Sequence, residues 1–256
     1  MKKIMWILIL SIFLSQPLSA ESVNVITYHY PPYVVGDGSG ILELILHKVS
    51  KYTKHKIKFE KYPLKRASLT FGGDYKDKLF LGVYHNLPKQ PVSVRTQIFI
   101  RTRIVSVYYK KDFPKFNYTS FEELKGKTIG VLFGNPFNRV LVKYGLKQEK
   151  NSQLKNNLKK LVNQRIDFWL VPDITAYQLI EKEMPGMRDL FGFFEDRKAI
   201  PLLPISLVAG EESNKKKVFT DICTGLKKIV KNGKCLKILE GFYGKGLVPD
   251  GVMVKF

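Results

Sequence analysis

FEELKGKTIGVLFGNPFNRVL, residues 121–141, is the stretch whose reading decides the fold. Glu122, Glu123 and Leu124 read as the end of a short helix, and Gly126 breaks it. Residues 127–133 then form a β-branched, apolar run bounded by glycines, as a buried strand requires. The strand stops at Gly134, where Asn135 is a favoured N-cap and Pro136 suits a first helical position, its missing N–H not being needed there. A helix therefore begins at the carboxyl end of a strand, the unit of an open α/β sheet. Such a junction aims backbone N–H groups and the positive end of a helix dipole at whatever lies in front of it. Every α/β protein contains several of these junctions, so a ligand role and a purely structural role both stay open.

Upstream, residues 23–27 predict a first strand that ends in the loop Tyr28-His29-Tyr30-Pro31-Pro32-Tyr33. A glycine-rich turn at 36–40 follows, then an amphipathic helix over 41–52 whose apolar positions 41, 42, 45, 46 and 49 share one face. Short strands at 57–59 and 78–83 flank a helix at 63–70, the second of them leaving through Tyr84-His85-Asn86, and 104–109 reads as a strand leading out of the region. This is a βαβαβ pattern, which calls for a mostly parallel sheet with helices on its faces.

A second α/β run begins near Asp112. Besides the opening stretch it holds a helix at 154–163, a strand at 167–171 and a helix at 174–183. Residues 201–209 return as an extended segment, and helices at 218–231 and 234–243 close the chain. Two similar α/β units joined by extended crossings imply two lobes with a cleft.

Residues 1–20 read as a secretory signal: Lys2 and Lys3, an apolar run too short to span a membrane, and a polar cleavage region ending in Ser19-Ala20. The expectation is an exported, soluble, periplasmic protein, with residues 21–110 and 200–256 in the first lobe and 111–199 in the second. The net charge of +21 invites an anionic partner, but the lysines are scattered through predicted helices and turns with no dense arm, so no nucleic acid is expected. The two cysteines, Cys223 mid-helix and Cys235 opening the next helix, lie roughly 12 Å apart along the axis at 1.5 Å per residue, beyond bridging reach, and are read as buried free thiols.

In order and spacing, these landmarks resemble bacterial periplasmic solute-binding proteins of family 3, the type II fold of polar amino-acid ABC transporters, in a divergent branch. The matching pieces are Tyr30-Pro31-Pro32-Tyr33 with Gly40 and its helix, residues 121–131, and Gly134-Asn135-Pro136 where the family usually has Gly-Thr-Thr. Arg165-Ile166-Asp167, Asn232-Gly233, Gly241-Phe242-Tyr243-Gly244 and Pro63-Leu64-Lys65-Arg66-Ala67 complete them. The resemblance implies a two-lobed α/β molecule of mostly parallel sheets, hinged on two crossing segments, that closes like a flytrap on a solute. It further implies a monomeric binding protein that hands a small polar or aromatic, amino-acid-like solute to a membrane permease or receptor, with no cofactor. A solute sensor docking on a membrane receptor, or a dehydratase-like enzyme on the same scaffold, are the alternatives.

This sequence departs from the family at both handles of an amino acid. Pro88, with Lys89 beside it, stands where an arginine usually clamps the α-carboxylate, and Pro172 stands where an acid usually holds the α-ammonium, with Asp173 one residue on. The candidate ligand-binding residues are Tyr28, Tyr30, Tyr33, Tyr84 and Phe133 as aromatic walls and Arg66 as a substitute anion clamp, with His85, Asn86, Asn135 and Asp173 as polar contacts. Phe137 is a further strand-exit aromatic. Trp169, inside a predicted strand, is read as core. His29 and His85 would need Asp37 or Asp173 as a third metal ligand, and no metal and no catalytic set is assigned.

Overall fold

The structure is a computed structural model describing residues 21–74, 78–83, 94–133, 136–211, 213 and 215–256. In chain order its strands are β1 (Glu21–Tyr28), β2 (His55–Tyr62), β3 (Leu79–Gly82), β4 (Val94–Thr102), β5 (Ile104–Tyr109), β6 (Thr128–Leu132), β7 (Lys147–Asn151), β8 (Phe168–Pro172), β9 (Phe191–Phe194) and β10 (Leu203–Gly210). The helices are α1 (Ile41–Ser50), α2 (Leu64–Asp74), α3 (Asn138–Lys143), α4 (Leu154–Val162), α5 (Asp173–Glu183), α6 (Lys216–Lys231) and α7 (Lys234–Tyr243).

The strands form two five-stranded sheets, ordered β2-β1-β3-β10-β4 and β7-β6-β8-β5-β9. Each sheet is mixed. In the first, β1 runs parallel to β2 and β3, and β10 adds antiparallel pairings to β3 and β4. The second repeats the pattern: β6 is parallel to β7 and β8, and β5 is antiparallel to β8 and β9. The parallel half of each sheet is the part that the βαβ pattern anticipates. The antiparallel half comes from strands that cross between the sheets, where no helix intervenes to restore direction. The chain crosses twice, through Arg103 between β4 and β5 and through residues 195–202 between β9 and β10. Strand β5, which sequence-drawn boundaries leave with the first lobe, pairs in the second sheet.

Side-chain alternation explains the layers. In β1, Val23 and Val25 are buried in the same core cluster as Ile45 and Leu46 of α1 and Ile222 and Leu226 of α6. Ile26 and Tyr28 face the other way, against Ala67 and Phe71 of α2. At roughly 1.5–3 kcal/mol for each large apolar side chain fully buried, both faces contribute substantially. In the second sheet Trp169 is 0 % exposed and packs with Val105, Val107 and Val171 against α4 and α5, the core role expected of it. Gly130 of β6 lets α4 come this close: a Cβ there would sit 2.5 Å from Ile166 Cδ1 and 2.8 Å from Asn157 Oδ1.

The opening stretch folds as anticipated except at its helix start. Residues Phe121–Leu124 form a 3-10 turn, β6 follows, but α3 begins only at Asn138, behind a turn containing Pro136 and Phe137. Strands β4, β7 and β9 have no counterpart among the predicted strands. All three are sheet edges.

Candidate functional site

A cavity of about 650 Å³ opens between the two sheets. The first sheet's side supplies Tyr28, His29, Tyr30 and Pro31 from the end of β1, together with Leu64 at the start of α2. The second supplies Leu132 and Phe133 where β6 ends, Leu154 of α4, and Thr175 and Leu179 of α5. Ile104 and Leu203, each the first residue of its strand just after a crossing, line the cavity as well. The site therefore forms where the carboxyl ends of parallel strands meet, the place at which open α/β sheets leave room for a ligand.

Its aromatic wall is a run of rings on the first side. The Tyr28 and Tyr30 ring centroids are 5.4 Å apart, Tyr30 and Tyr33 are stacked at 4.9 Å, and Tyr28 stacks on Phe80 at 6.2 Å. Tyr28 is held by its ring neighbours and by its hydroxyl, which accepts from the Val83 N–H at 3.3 Å. Tyr33 backs this wall without reaching the cavity: it is 1 % exposed, and burial raises its hydroxyl pKa well above the ordinary tyrosine value. Sequence spacing placed it at the ligand; packing places it in the core. The loop carrying these rings is fixed from below by Glu43, whose buried carboxylate accepts from the N–H groups of Gly40 at 2.9 Å and Val35 at 3.1 Å. Partial burial, together with the charge of Lys61, holds the His29 imidazole below its usual pKa, so the histidine at this rim is neutral at pH 7.

Phe133 is 64 % exposed and Leu132 38 %, both beside the cavity. Phe133 thus stands at a strand exit beside the cavity. Tyr84, His85, Asn86 and Asn135 lie outside the described residues. Arg66 sits on the exposed flank of α2 with its guanidinium 5.2 Å above the Tyr62 ring and is not part of the lining.

Asp173 is also outside the cavity. As the first residue of α5 it is 0 % exposed: its Oδ2 accepts from Arg103 Nε at 2.8 Å and its Oδ1 from the Tyr243 hydroxyl at 3.0 Å and the Ile174 N–H at 2.7 Å. Burial pushes this carboxyl above its usual range, and the Arg103 charge pulls against that. Arg103 also approaches Glu195 Oε2 at 3.6 Å and donates to the Tyr177 hydroxyl at 3.3 Å. The cluster thus ties one crossing to the other and both to α5. Beside it the Thr175 hydroxyl donates to the Pro31 carbonyl at 2.8 Å, joining the second sheet's helix to the aromatic loop of the first. Among the described residues, no group of three or more His, Cys, Asp or Glu gathers as a metal site would require.

The wall residues Leu64, Leu154 and Leu179 come from helices remote in sequence from β1 and β6, whereas Phe137 lies in the turn just after β6. Only the position of Phe137 just after a strand offered a sequence signal.

No family model matches this sequence, and no curated protein does. Solved structures do. The substrate-binding protein of an amino-acid ABC transporter is 18 % identical, with a TM-score of 0.64, covering 88 % of this chain and 100 % of its own. A Streptococcus pneumoniae ABC uptake transporter substrate-binding protein with bound histidine is 16 % identical, with a TM-score of 0.66 and coverages of 94 % and 98 %. The L-cystine solute receptor of Neisseria gonorrhoeae, in its unliganded open conformation, is 16 % identical, with a TM-score of 0.63 and coverages of 93 % and 97 %. The chain thus has the two-lobed α/β fold of these binding proteins over nearly its whole described length.

Proposed function

We propose that this chain is an exported solute-binding protein whose two lobes close on a small polar or aromatic, amino-acid-like solute and present it to an ABC permease. One observation carries the reading: a cavity of about 650 Å³ lined from both sheets and bordered by both crossing segments. A molecule seated there touches both lobes at once. Its affinity for the closed arrangement then exceeds that for the open one, and that difference shifts the population towards closure. The shared fold with substrate-binding proteins of ABC transporters supports the same reading. Residues 1–20, outside the described part, supply the proposed export signal and so the periplasmic location. Among the described residues no helix is long and apolar enough to cross a membrane, which accords with a mobile carrier that meets its permease from outside. Tyr28, Tyr30 and Phe133 are the proposed ligand walls, with His85, Asn86 and Asn135 as further proposed contacts.

The test joins stability to shape. A solute library of amino acids, short peptides, nucleosides and organic acids is screened by thermal shift, and each hit is followed by small-angle X-ray scattering. A true ligand at 100 times its Kd adds about 2.7 kcal/mol of stability and also shrinks the radius of gyration. Hits that stabilise without compaction, or a library without any hit, overturn the reading.

A further inference from the structure

We infer that the cavity selects an apolar monocarboxylic acid, ring-bearing or branched, that lacks an α-ammonium group. This rests on the reading as a solute-binding protein and narrows its ligand class.

The walls are mostly apolar, with Tyr28, His29, Tyr30, Ser152, Gln153 and Thr175 as the uncharged polar residues among those described. Leu132 and Phe133 stand 38 % and 64 % exposed at the end of β6, with Leu64, Leu154, Leu179 and Pro31 among the side chains around them. Large apolar side chains left open to water beside a cavity mark a surface that gains by being covered, and a polar zwitterion does not cover it. The two charged residues that the sequence offered as amino-acid handles are elsewhere. Both oxygens of Asp173 are taken by Arg103, Tyr243 and Ile174, and its side chain is 0 % exposed. Arg66 lies over Tyr62. Residues 84–93, outside the described part, contain neither aspartate nor glutamate. Among the described lining residues the charged groups are Lys155, Lys182 and Glu183, all exposed, so the described rim carries more positive than negative charge. An ammonium group buried against Leu154 would lose its hydration, and the one carboxylate among the described lining residues, Glu183, is exposed at the rim beside Lys182. A lone carboxylate instead reaches the lysines at the rim while its hydrocarbon body fills the cavity.

Isothermal titration of the mature chain with matched pairs decides this: 3-phenylpropanoate against L-phenylalanine, and 4-methylpentanoate against L-leucine, with L-glutamate and L-arginine as polar probes. The expected result is that each des-amino acid binds at least tenfold tighter than its amino-acid partner and that the polar probes give no heat of binding. Phe133→Ser, at a site too exposed to unfold the chain, weakens 3-phenylpropanoate at least tenfold with an unchanged melting temperature. The double variant Lys155→Met, Lys182→Met weakens 3-phenylpropanoate more than its neutral amide. Tighter binding of L-phenylalanine or of either polar probe overturns this inference and leaves the binding-protein reading standing. Absence of binding by all six solutes also overturns it, and the wider screen then judges the binding-protein reading separately.

Discussion

Arg103 Nε lies 2.8 Å from Asp173 Oδ2, and this pair joins the residue between β4 and β5 to the first residue of α5. The backbone doubles the tie, because the Asp173 N–H donates to the Arg103 carbonyl at 3.0 Å. Arg103 also approaches Glu195 in the other crossing. The two segments that cross between the sheets are therefore bridged by one guanidinium.

Removing that guanidinium leaves a fully buried carboxylate without its counter-charge. Arg103→Met is expected to cost about 3–5 kcal/mol, and the double variant Arg103→Met, Asp173→Asn to recover much of it. The pH dependence has a definite sign. Burial already holds the Asp173 pKa above its unfolded value, so the folded state binds more protons than the unfolded one across that window, and stability falls as pH rises through it. Without Arg103 the window widens upward. The loss in Arg103→Met should be largest at pH 7 and shrink as pH falls into the ordinary carboxylate range, where protonation removes the buried charge. Urea titrations of the two variants at several pH values measure this, and a pH-independent loss would count against it.

Glu43 holds the loop that carries the aromatic wall. Its Oε2 accepts from Gly40 and Val35 N–H groups, and the side chain is 4 % exposed. Glu43→Ala leaves both donors buried without a partner, an expected loss of about 1–3 kcal/mol each at most. Glu43→Gln keeps a neutral oxygen at the same place and should lose less than half as much. Because the loop positions Tyr30, the alanine variant should also weaken solute binding. Equal melting temperatures for the alanine and glutamine variants would sink the assignment.

How far the fold was legible depends on where a strand sits in its sheet. β3, β5, β6, β8 and β10 are interior strands with neighbours on both sides, so their sequences are apolar runs such as FWLVP in β8. β7 is KQEKN, a polar edge strand. Pairing of its backbone with β6 defines it, and its side chains carry no periodic signal. β4 and β9 are edges too. The site divides similarly. Tyr28, Tyr30 and Phe133 are readable because a strand exit is a sequence-local event. Leu154 and Leu179 are not, because a leucine on an amphipathic helix reads the same whether it faces the core or the opposite lobe. Asp173 misled for a related reason: its position after a strand suggests a ligand contact, whereas Arg103, 70 residues earlier in the chain, claims it.

Cys223 and Cys235 are free and buried, as their helical spacing anticipates, and burial pushes both thiols up to about 12. A thiol normally ionises near 8.5, and only the thiolate reacts readily. In native protein at pH 8 both should therefore resist a disulfide reagent for hours, and both should react within minutes once the chain is unfolded in guanidinium. Linkage sets the alkaline behaviour as well. The folded state holds both thiol protons between roughly pH 8.5 and 12 while the unfolded state releases them, so stability declines as pH rises through that range. The variant Cys223→Ala, Cys235→Ala should lose part of this alkaline slope while keeping the neutral-pH two-state transition. Rapid labelling of either cysteine in the native state, or an unchanged slope in the double variant, would show that the thiols are not sealed in the interface of α6 and α7 with the first sheet.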